Sequence, residues 1–330
     1  MKSLPRVTFL ALLGLIAAFA LAACGSDDEA SSGSGSGGGS AAEAPPTTEL
    51  KSDPANASKG TITVGSKNFT EQYILGELYG QTLEALGFKV RKRLNLGSEQ
   101  IAYKALKSGQ IDAYPEYTGT ALTSFFDIKT ADVPRDPDEA FQQAKAAYAK
   151  QDITALERTP FENTFRIAST VATAKEAGNP KTFSELVAAS PDLSVSGFPE
   201  CRQRSDCLLG LQDTYGYKGK FVSSEGKFDD LAQGTSDLTF AFSTDAQLAL
   251  TDKYVGFEDD KSLFPPYNIS LGVRNDAFQK IGKPGQEAIV NVQKGLTEEA
   301  MRELNRRVEL EKQEPEAVAA AYLKESGFVK

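Results

Sequence analysis

A five-residue pattern occurs twice in this chain, and each position of the second copy lies 125 residues after its counterpart. In each copy a helix ends at a glycine, a short strand passes an aspartate, and an aromatic residue lies at the end of that strand. The paired positions are Leu106 and Leu231, Gly109 and Gly234, Asp112 and Asp237, Tyr117 and Phe242, and Thr118 and Ser243. The pattern predicts two similar α/β lobes that face each other. Because glycine-ended helix-to-strand units are common, chance similarity is the alternative.

Residues 60–122 contain two segments that open from strand ends into loops: GSKNFTEQ at 65–72 and IDAYPEYTGTAL at 111–122. The first predicts a helix capped by Asn68 or Thr70 and ended by Gly87. The second places Tyr114 and Tyr117 beside hydroxyl residues at a strand's carboxyl end, where open α/β sheets bind ligands. The apolar face of the predicted helix consists of Ile74, Leu75, Leu78 and Leu86.

Periodicity predicts further elements along the chain. Residues 88–94 and 193–196 are predicted strands, and 98–107 is a helix with Ile101, Ala102, Ala105 and Leu106 on one face. The C-terminal part contains three predicted amphipathic helices, at 287–294, 297–310 and 315–325.

The first 23 residues have the form of a secretion signal, with Lys2 and Arg6 ahead of an apolar run over 7–22. That run is shorter than the ~20 apolar residues that span a bilayer. The sequence Leu-Ala-Ala-Cys ends at Cys24 and has the bacterial lipobox form, which predicts cleavage before Cys24 and lipid on its sulfur; an ordinary signal peptide with a chance cysteine is the alternative. Residues 24–59 form a predicted flexible Ser/Gly/Pro linker with a root-mean-square end-to-end distance of about 33 Å.

The composition and net charge of the chain disfavour some classes of function. Loss of residues 1–23 removes two basic side chains and no acidic one, leaving 34 basic against 45 acidic residues and a net charge of −11. This charge disfavours nucleic acid as a partner. About 270 residues follow the linker, enough for two lobes.

With Cys24 lipidated, Cys201 and Cys207 remain and are expected to form a disulfide. A metal or catalytic role is the alternative, but the chain has no histidine and two thiols alone make a poor zinc site.

Five motifs in order carry a family resemblance: SKNFTEQ, YPEYTGT, ENTF at 162–165, FSTD at 242–245 and FPPY at 264–267. From about Gly60 to the C-terminus the chain resembles the substrate-binding proteins of ABC importers for quaternary ammonium osmoprotectants such as glycine betaine, choline, carnitine and proline betaine. The resemblance implies an α/β type II periplasmic-binding-protein fold, with two lobes and a ligand cleft between them. We expect lobe 1 at 60–166 and 268–330 and lobe 2 at 167–267, with crossings near 165–168 and 267–271.

Position by position, the resemblance implies a ligand site. An aromatic cage falls on Tyr117, Phe165, Phe242 and Tyr267, although members of the family usually have tyrosine where this chain has the two phenylalanines. Lys67 and Arg204 fall on positions that hold the ligand's carboxylate, with Arg202 as a rival for Arg204. Thr120 and Asn163 complete a polar rim, with Gln72 beside them; relatives often have aspartate at the position of Asn163.

The combined interpretation is a monomeric, lipid-anchored, extracytoplasmic receptor without enzymatic activity, cofactor or metal. It would capture a quaternary ammonium osmolyte and deliver it to a membrane permease powered by a separate ATPase. One alternative keeps the fold and changes the ligand to another zwitterion, such as an amino-acid betaine, or to an aromatic compound. A second is a secreted hydrolase that uses a carboxylate pair such as Asp229 and Asp230, although nothing in the sequence places such a pair across a cleft.

Overall fold

The structure is a computed structural model that describes residues 48–330. The strands are β1 (Thr61–Gly65), β2 (Lys89–Arg93), β3 (Ala113–Tyr117), β4 (Ile153–Ala155), β5 (Phe165–Thr170), β6 (Val195–Gly197), β7 (Phe221–Ser223), β8 (Leu238–Phe242), β9 (Tyr254–Phe257) and β10 (Ile269–Arg274). The helices are α1 (Thr70–Ala85), α2 (Glu99–Lys107), α3 (Thr118–Thr120), α4 (Pro137–Ala149), α5 (Val171–Glu176), α6 (Phe183–Ala189), α7 (Leu208–Tyr215), α8 (Phe228–Gln233), α9 (Asn275–Lys294), α10 (Glu298–Glu309) and α11 (Pro315–Glu325).

The strands form two five-stranded sheets, with orders β2-β1-β3-β10-β4 and β7-β6-β8-β5-β9. In each sheet four strands run in one direction. The fifth, β10 in the first sheet and β5 in the second, follows a crossing between the lobes and lies antiparallel between two of them. The chain crosses between the sheets over 156–164 and again over 258–268. The first crossing is earlier than predicted, because Phe165 already pairs with Phe242 in the second sheet.

The repeat is present in three dimensions. Gly109 and Gly234 both follow a helix with positive φ, at 72° and 69°. Asp112 accepts the backbone N–H of Thr63 at 2.8 Å, and Asp237 accepts that of Ser194 at the same distance. The equivalent strands β3 and β8 end at Tyr117 and Phe242. Each aspartate therefore ties its strand to the neighbouring parallel one, and the aromatic residues emerge at equivalent places in the two lobes.

Helix α1 is at the centre of lobe 1 and packs against α9, α10 and α11. Its apolar residues face more than one side, as expected for a helix enclosed by other elements. Fully buried members include Ile74, Leu75, Leu78, Tyr79 and Leu83. Gly87, with φ of +90°, ends the helix as predicted, and its N–H bonds the carbonyl of Glu84.

Three local predictions are wrong in detail. Helix α1 is capped by neither Asn68 nor Thr70; Phe69 occupies the cap position in an extended conformation, with no side-chain cap. Ile101 does not join the buried face of α2 but is 54% exposed. Helix α9 begins at Asn275, well ahead of the predicted 287, because the break at Gly282, with φ of +59°, interrupts the periodic pattern.

The predicted flexible linker ends earlier than residue 59. Residues Pro54–Ser58 form a 3₁₀ helix, and the buried side-chain amide of Asn56 donates to the carbonyl of Leu86 at 2.8 Å. Leu50 bonds the carbonyl of Phe328 through its N–H. These contacts satisfy the carbonyl end of α1 and hold the segment on lobe 1. The predicted signal peptide, Cys24 and the linker up to residue 47 lie outside the described residues.

None of the helices over residues 48–330 has the length and apolar character needed to span a membrane.

Candidate functional site

A cavity of about 150 Å³ lies between the two sheets and is lined by residues from both lobes. This is smaller than the ~300 to 1,000 Å³ of pockets for drug-sized ligands and suits a small solute. Eight of the nine predicted ligand-binding residues line it: Lys67, Tyr117, Thr120, Asn163, Phe165, Arg204, Phe242 and Tyr267. Gln72 is the exception. Its side chain is fully buried, and its carbonyl oxygen accepts the backbone N–H of Lys67 at 3.1 Å, so it supports the loop rather than the cavity wall.

The aromatic side chains form a continuous row around the cavity. Phe165 packs against Phe242 with 5.2 Å between ring centroids and meets Tyr267 edge-on at 5.4 Å. Phe69 bridges the remaining gap, at 5.6 Å from Phe242 and 6.1 Å from Tyr117. Each aromatic pair adds ~0.5 to 1.5 kcal/mol beyond its buried area, so the rings hold one another in place.

Strand geometry explains why these rings meet. Tyr117 ends β3, and Phe165 and Phe242 are directly opposite each other in the antiparallel pair β5 and β8. Cross-strand partners have Cβ atoms only ~4.5 to 5.5 Å apart. Tyr267 comes from the second crossing, two residues before β10 begins.

Sequence reasoning missed three aromatic residues of the cavity wall, Phe69, Phe198 and Phe240. Two of them could have been found. Phe69 lies inside the SKNFTEQ motif, and Phe240 shares a strand face with Phe242 because side chains alternate with a period of two. No sequence signal marks Phe198, which stacks on Phe165 at 6.2 Å.

Lys67 is buried and ion-paired with Glu116. Its ammonium nitrogen also lies 4.5 Å from the centroid of the Tyr117 ring. Glu116 in turn accepts the phenol of Tyr114 at 2.9 Å and the backbone N–H of Tyr117 at 2.8 Å. Tyr114, expected near the ligand, is instead fully buried behind this pair. The charge of Lys67 is therefore already compensated by a carboxylate.

Arg204 is also paired. It donates from Nε to Asp206 Oδ1 at 2.8 Å, from Nη2 to Oδ2 at 2.5 Å, and from Nη1 to Glu99 at 3.2 Å. Burial acts to raise the pKa of Asp206, but the charge and hydrogen bonds of Arg204 outweigh it and lower that pKa. Asp206 further accepts the phenol of Tyr267 at 2.5 Å. The rival candidate Arg202 is exposed, with its guanidinium 5.0 Å from the Phe221 ring, and does not line the cavity.

The loop that carries Arg204 is closed by a disulfide between Cys201 and Cys207, whose Cα atoms are 5.2 Å apart. Residues inside this loop touch lobe 1: Ser205 bonds Thr130 at 2.7 Å, and Asp206 accepts the Thr123 hydroxyl at 3.1 Å. The disulfide loop therefore belongs to the contact between the lobes as well as to the cavity.

A third cation, Lys227, lines the cavity although the sequence did not indicate it. Its ammonium is 2.6 Å from Asp245 Oδ1 and 4.4 Å from the Phe242 centroid. Its backbone has φ of +49°, a conformation that costs energy in a residue other than glycine.

The carboxylates considered for hydrolysis, Asp229 and Asp230, are adjacent in the first turn of α8, and neither lines this cavity. Asp230 is buried and accepts the Ser224 hydroxyl at 3.0 Å. They do not face each other across a cleft as a glycosidase pair does.

Two α/β lobes, two chain crossings and an interlobe cavity lined from both sides define a two-lobed solute-binding protein. The family described as the substrate binding domain of the ABC-type glycine betaine transport system matches residues 60–325. The chain belongs to this family, whose members are solute-binding proteins of ABC transporters and not enzymes.

Individual relatives agree with this assignment. The glycine-betaine-binding protein of Pseudomonas aeruginosa is 30% identical over 284 residues, covering 82% of this chain and 89% of that protein. The ergothioneine transport permease/ergothioneine binding protein EgtU of Helicobacter pylori is 26% identical over 281 residues, covering 83% of this chain. The match spans about half the length of that protein, 49%. The crystal structure of a glycine betaine/carnitine/choline ABC transporter protein superimposes with a TM-score of 0.66 at 25% identity, covering 81% of this chain and 99% of that one.

Proposed function

We propose that this protein captures a quaternary ammonium osmolyte in an aromatic cage between its lobes and delivers it to an ABC permease. The observation that carries the proposal is the convergence of Tyr117, Phe165, Phe242 and Tyr267 on one small cavity, from both lobes and a crossing segment. The family and the named glycine betaine relative support the same ligand class.

The chemistry of the cavity fits this ligand class. A trimethylammonium group has a full positive charge under an apolar skin and no strong hydrogen-bond donor. Aromatic faces attract it through their quadrupoles, by ~0.5 to 2 kcal/mol each, while they exclude water. Phe165 and Phe242 keep the aromatic face that the cage requires and lack only the phenolic oxygen.

The ligand's anionic end would meet Lys67 or Arg204, with Thr120 and Asn163 on the polar rim. Both cations already bond carboxylates but retain unused N–H groups, since an ammonium has three donors and a guanidinium five. A carboxylate ligand would add to these networks. We therefore expect the ligand's ammonium group to contribute more to affinity than the ligand's carboxylate does.

A ligand series tests the function. Glycine betaine, choline, carnitine and proline betaine are added to the purified protein, and the melting temperature is measured. A ligand at 100 times its dissociation constant stabilises the folded state by about 2.7 kcal/mol, so at least one of the four is expected to raise the melting temperature by several degrees. Glycine, which lacks the methyl groups, is the control and is expected to cause no shift. Absence of a shift with all four ligands would contradict the proposal.

An amino-acid betaine is a second candidate ligand. The relative from Helicobacter pylori is named for ergothioneine. The phenylalanine-rich wall here, in which Phe198 stacks on Phe165, offers ring faces to an aromatic ligand part. Adding ergothioneine to the same series separates the candidates, because a larger shift with ergothioneine than with glycine betaine would favour this second one.

Anchoring and delivery complete the proposal. We infer an extracytoplasmic protein attached by lipid on Cys24 that acts as a monomer with a separate permease and ATPase; the lipobox and the family support this. Cys24→Ala is expected to move the protein from the membrane fraction to the soluble fraction without changing its melting temperature. Fractionation of the producing cells and mass spectrometry of the N-terminal peptide check this. An unmodified Cys24 in the native protein would refute the anchor.

A further inference from the structure

The cations that line the cavity all have a carboxylate partner. Lys67 is paired with Glu116, Arg204 with Asp206, and Lys227 with Asp245. Glu99 adds a second carboxylate to Arg204. Four carboxylates thus oppose three cations, and Glu200 and Glu225 also line the cavity, so the wall already favours a cation. A further buried negative charge would strengthen that preference.

The buried carboxyl group of Glu71 is the candidate for such a charge. It is in the first turn of α1, 2% exposed, and takes part in none of the ion pairs found over residues 48–330. Four neutral side chains donate to its carboxylate. They are Tyr117 at 2.7 Å, Asn163 at 2.9 Å, Asn305 at 3.2 Å and the hydroxyl of Thr244.

These four donors come from different parts of the fold. Tyr117 ends β3, Asn163 belongs to the first crossing, Thr244 follows β8 in lobe 2, and Asn305 lies in α10. Burial raises the pKa of Glu71, and the four hydrogen bonds limit that rise because they favour the charged form. Four donors directed at two oxygens favour an ionised carboxylate.

We propose that Glu71 determines the specificity of the cavity for a cation. Its buried carboxylate, which accepts the hydroxyl of Tyr117, would attract a ligand cation that stacks on the Tyr117 ring. This inference rests on the proposed function. A cation stacked on that ring would lie roughly 7 Å from the carboxylate, and at an effective dielectric constant of about 20 a unit charge at this distance changes affinity by roughly tens of fold. The hydrogen bond from Tyr117 also makes its phenol more electron-rich and its face more attractive to a cation.

The test compares choline with 3,3-dimethylbutan-1-ol, which has the same shape but carbon in place of the charged nitrogen. Calorimetry gives the affinity of each ligand for the wild type and for Glu71→Gln. The ratio of the two affinities is expected to fall by about tenfold or more in Glu71→Gln, since only choline loses a charge interaction. Glu77→Gln is the matched control. Glu77 is on the same helix but pairs with Lys92 at 2.9 Å, and the ratio is expected to stay at its wild-type value.

The outcomes are distinct. If Glu71→Gln weakens both ligands equally, Glu71 only shapes the site and the inference is overturned. If Glu71→Gln does not fold, Glu71→Met decides, because it also removes the charge and keeps a side chain of similar length. A ratio reduced about tenfold in Glu71→Met supports the inference, and an unchanged ratio overturns it. A wild type that does not prefer choline to the neutral alcohol overturns the proposed function, and this inference with it.

Discussion

Replacement of Arg204 by alanine is expected to destabilise the protein by about 3 to 5 kcal/mol, because it leaves the carboxylate of Asp206 buried without a compensating charge. The side chain of Asp206 has no exposed surface, and that of Arg204 is 10% exposed. Loss of the guanidinium also removes the bond to Glu99 that connects the disulfide loop to α2. Ligand binding is therefore expected to weaken for choline as well as for betaine. Urea unfolding of the ligand-free protein measures the change in stability.

Two variants test this explanation. Arg202→Ala removes an exposed arginine two residues away and is expected to change the unfolding free energy by less than about 0.5 kcal/mol. The double variant Arg204→Met with Asp206→Leu removes both charges of the pair and is expected to recover part of the lost stability, since Glu99 and Tyr267 still lose a partner. An Arg204→Ala protein as stable as the wild type would show that the buried pair contributes nothing.

The pH dependence follows from the same pair. Because the folded-state pKa of Asp206 is lowered below its unfolded value, its contribution to stability is present above about pH 4 and is lost as the pH falls through the lowered value.

Tyr117→Ala is expected to lower the affinity for every quaternary ammonium ligand by at least ~1 to 2 kcal/mol, the contribution of one desolvated aromatic face to cation binding. It also removes the phenol that donates to Glu71 and the ring on which the ammonium of Lys67 lies. Loss of a buried ring costs a further ~3 to 5 kcal/mol of folding stability. Calorimetry at a temperature where the variant is folded measures the affinity.

The control is Tyr103→Ala. Tyr103 is 8% exposed and stacks on Phe125 at 4.2 Å in a different core cluster, outside the cavity lining. It is expected to lose stability but to keep its ligand affinity. If Tyr117→Ala binds choline as tightly as the wild type does, the aromatic cage assignment is wrong.

Local sequence patterns predicted much of the fold. The repeat around Asp112 and Asp237, the helix stop at Gly87 and the helix Pro315–Glu325 all appear in the structure. Each depends on interactions within a few residues, such as helical periodicity or the positive φ that glycine adopts freely. Eight of the nine residues that the motifs assigned to a ligand site line one cavity, whereas Gln72 does not.

The details that failed were those in which distant contacts override local preference. Asn68 is not the cap of α1, and its amide instead lies 3.4 Å from Glu225 of the other lobe. Residues 54–58 have linker-like composition but are ordered because Asn56 bonds the end of α1. Propensity and composition contain no information about such partners.

The sequence by itself determined the class of this protein, because five motifs in order and a duplicated α/β unit are local patterns that can be read along the chain. Only the tertiary structure decided which charged groups of the site are paired. Lys67 and Glu116 are 49 positions apart, Arg204 and Glu99 are 105 apart, and the partners of Glu71 are up to 234 positions away. Whether a buried charge is compensated depends on which distant groups the fold brings within a few ångströms of it, and no local pattern specifies those groups.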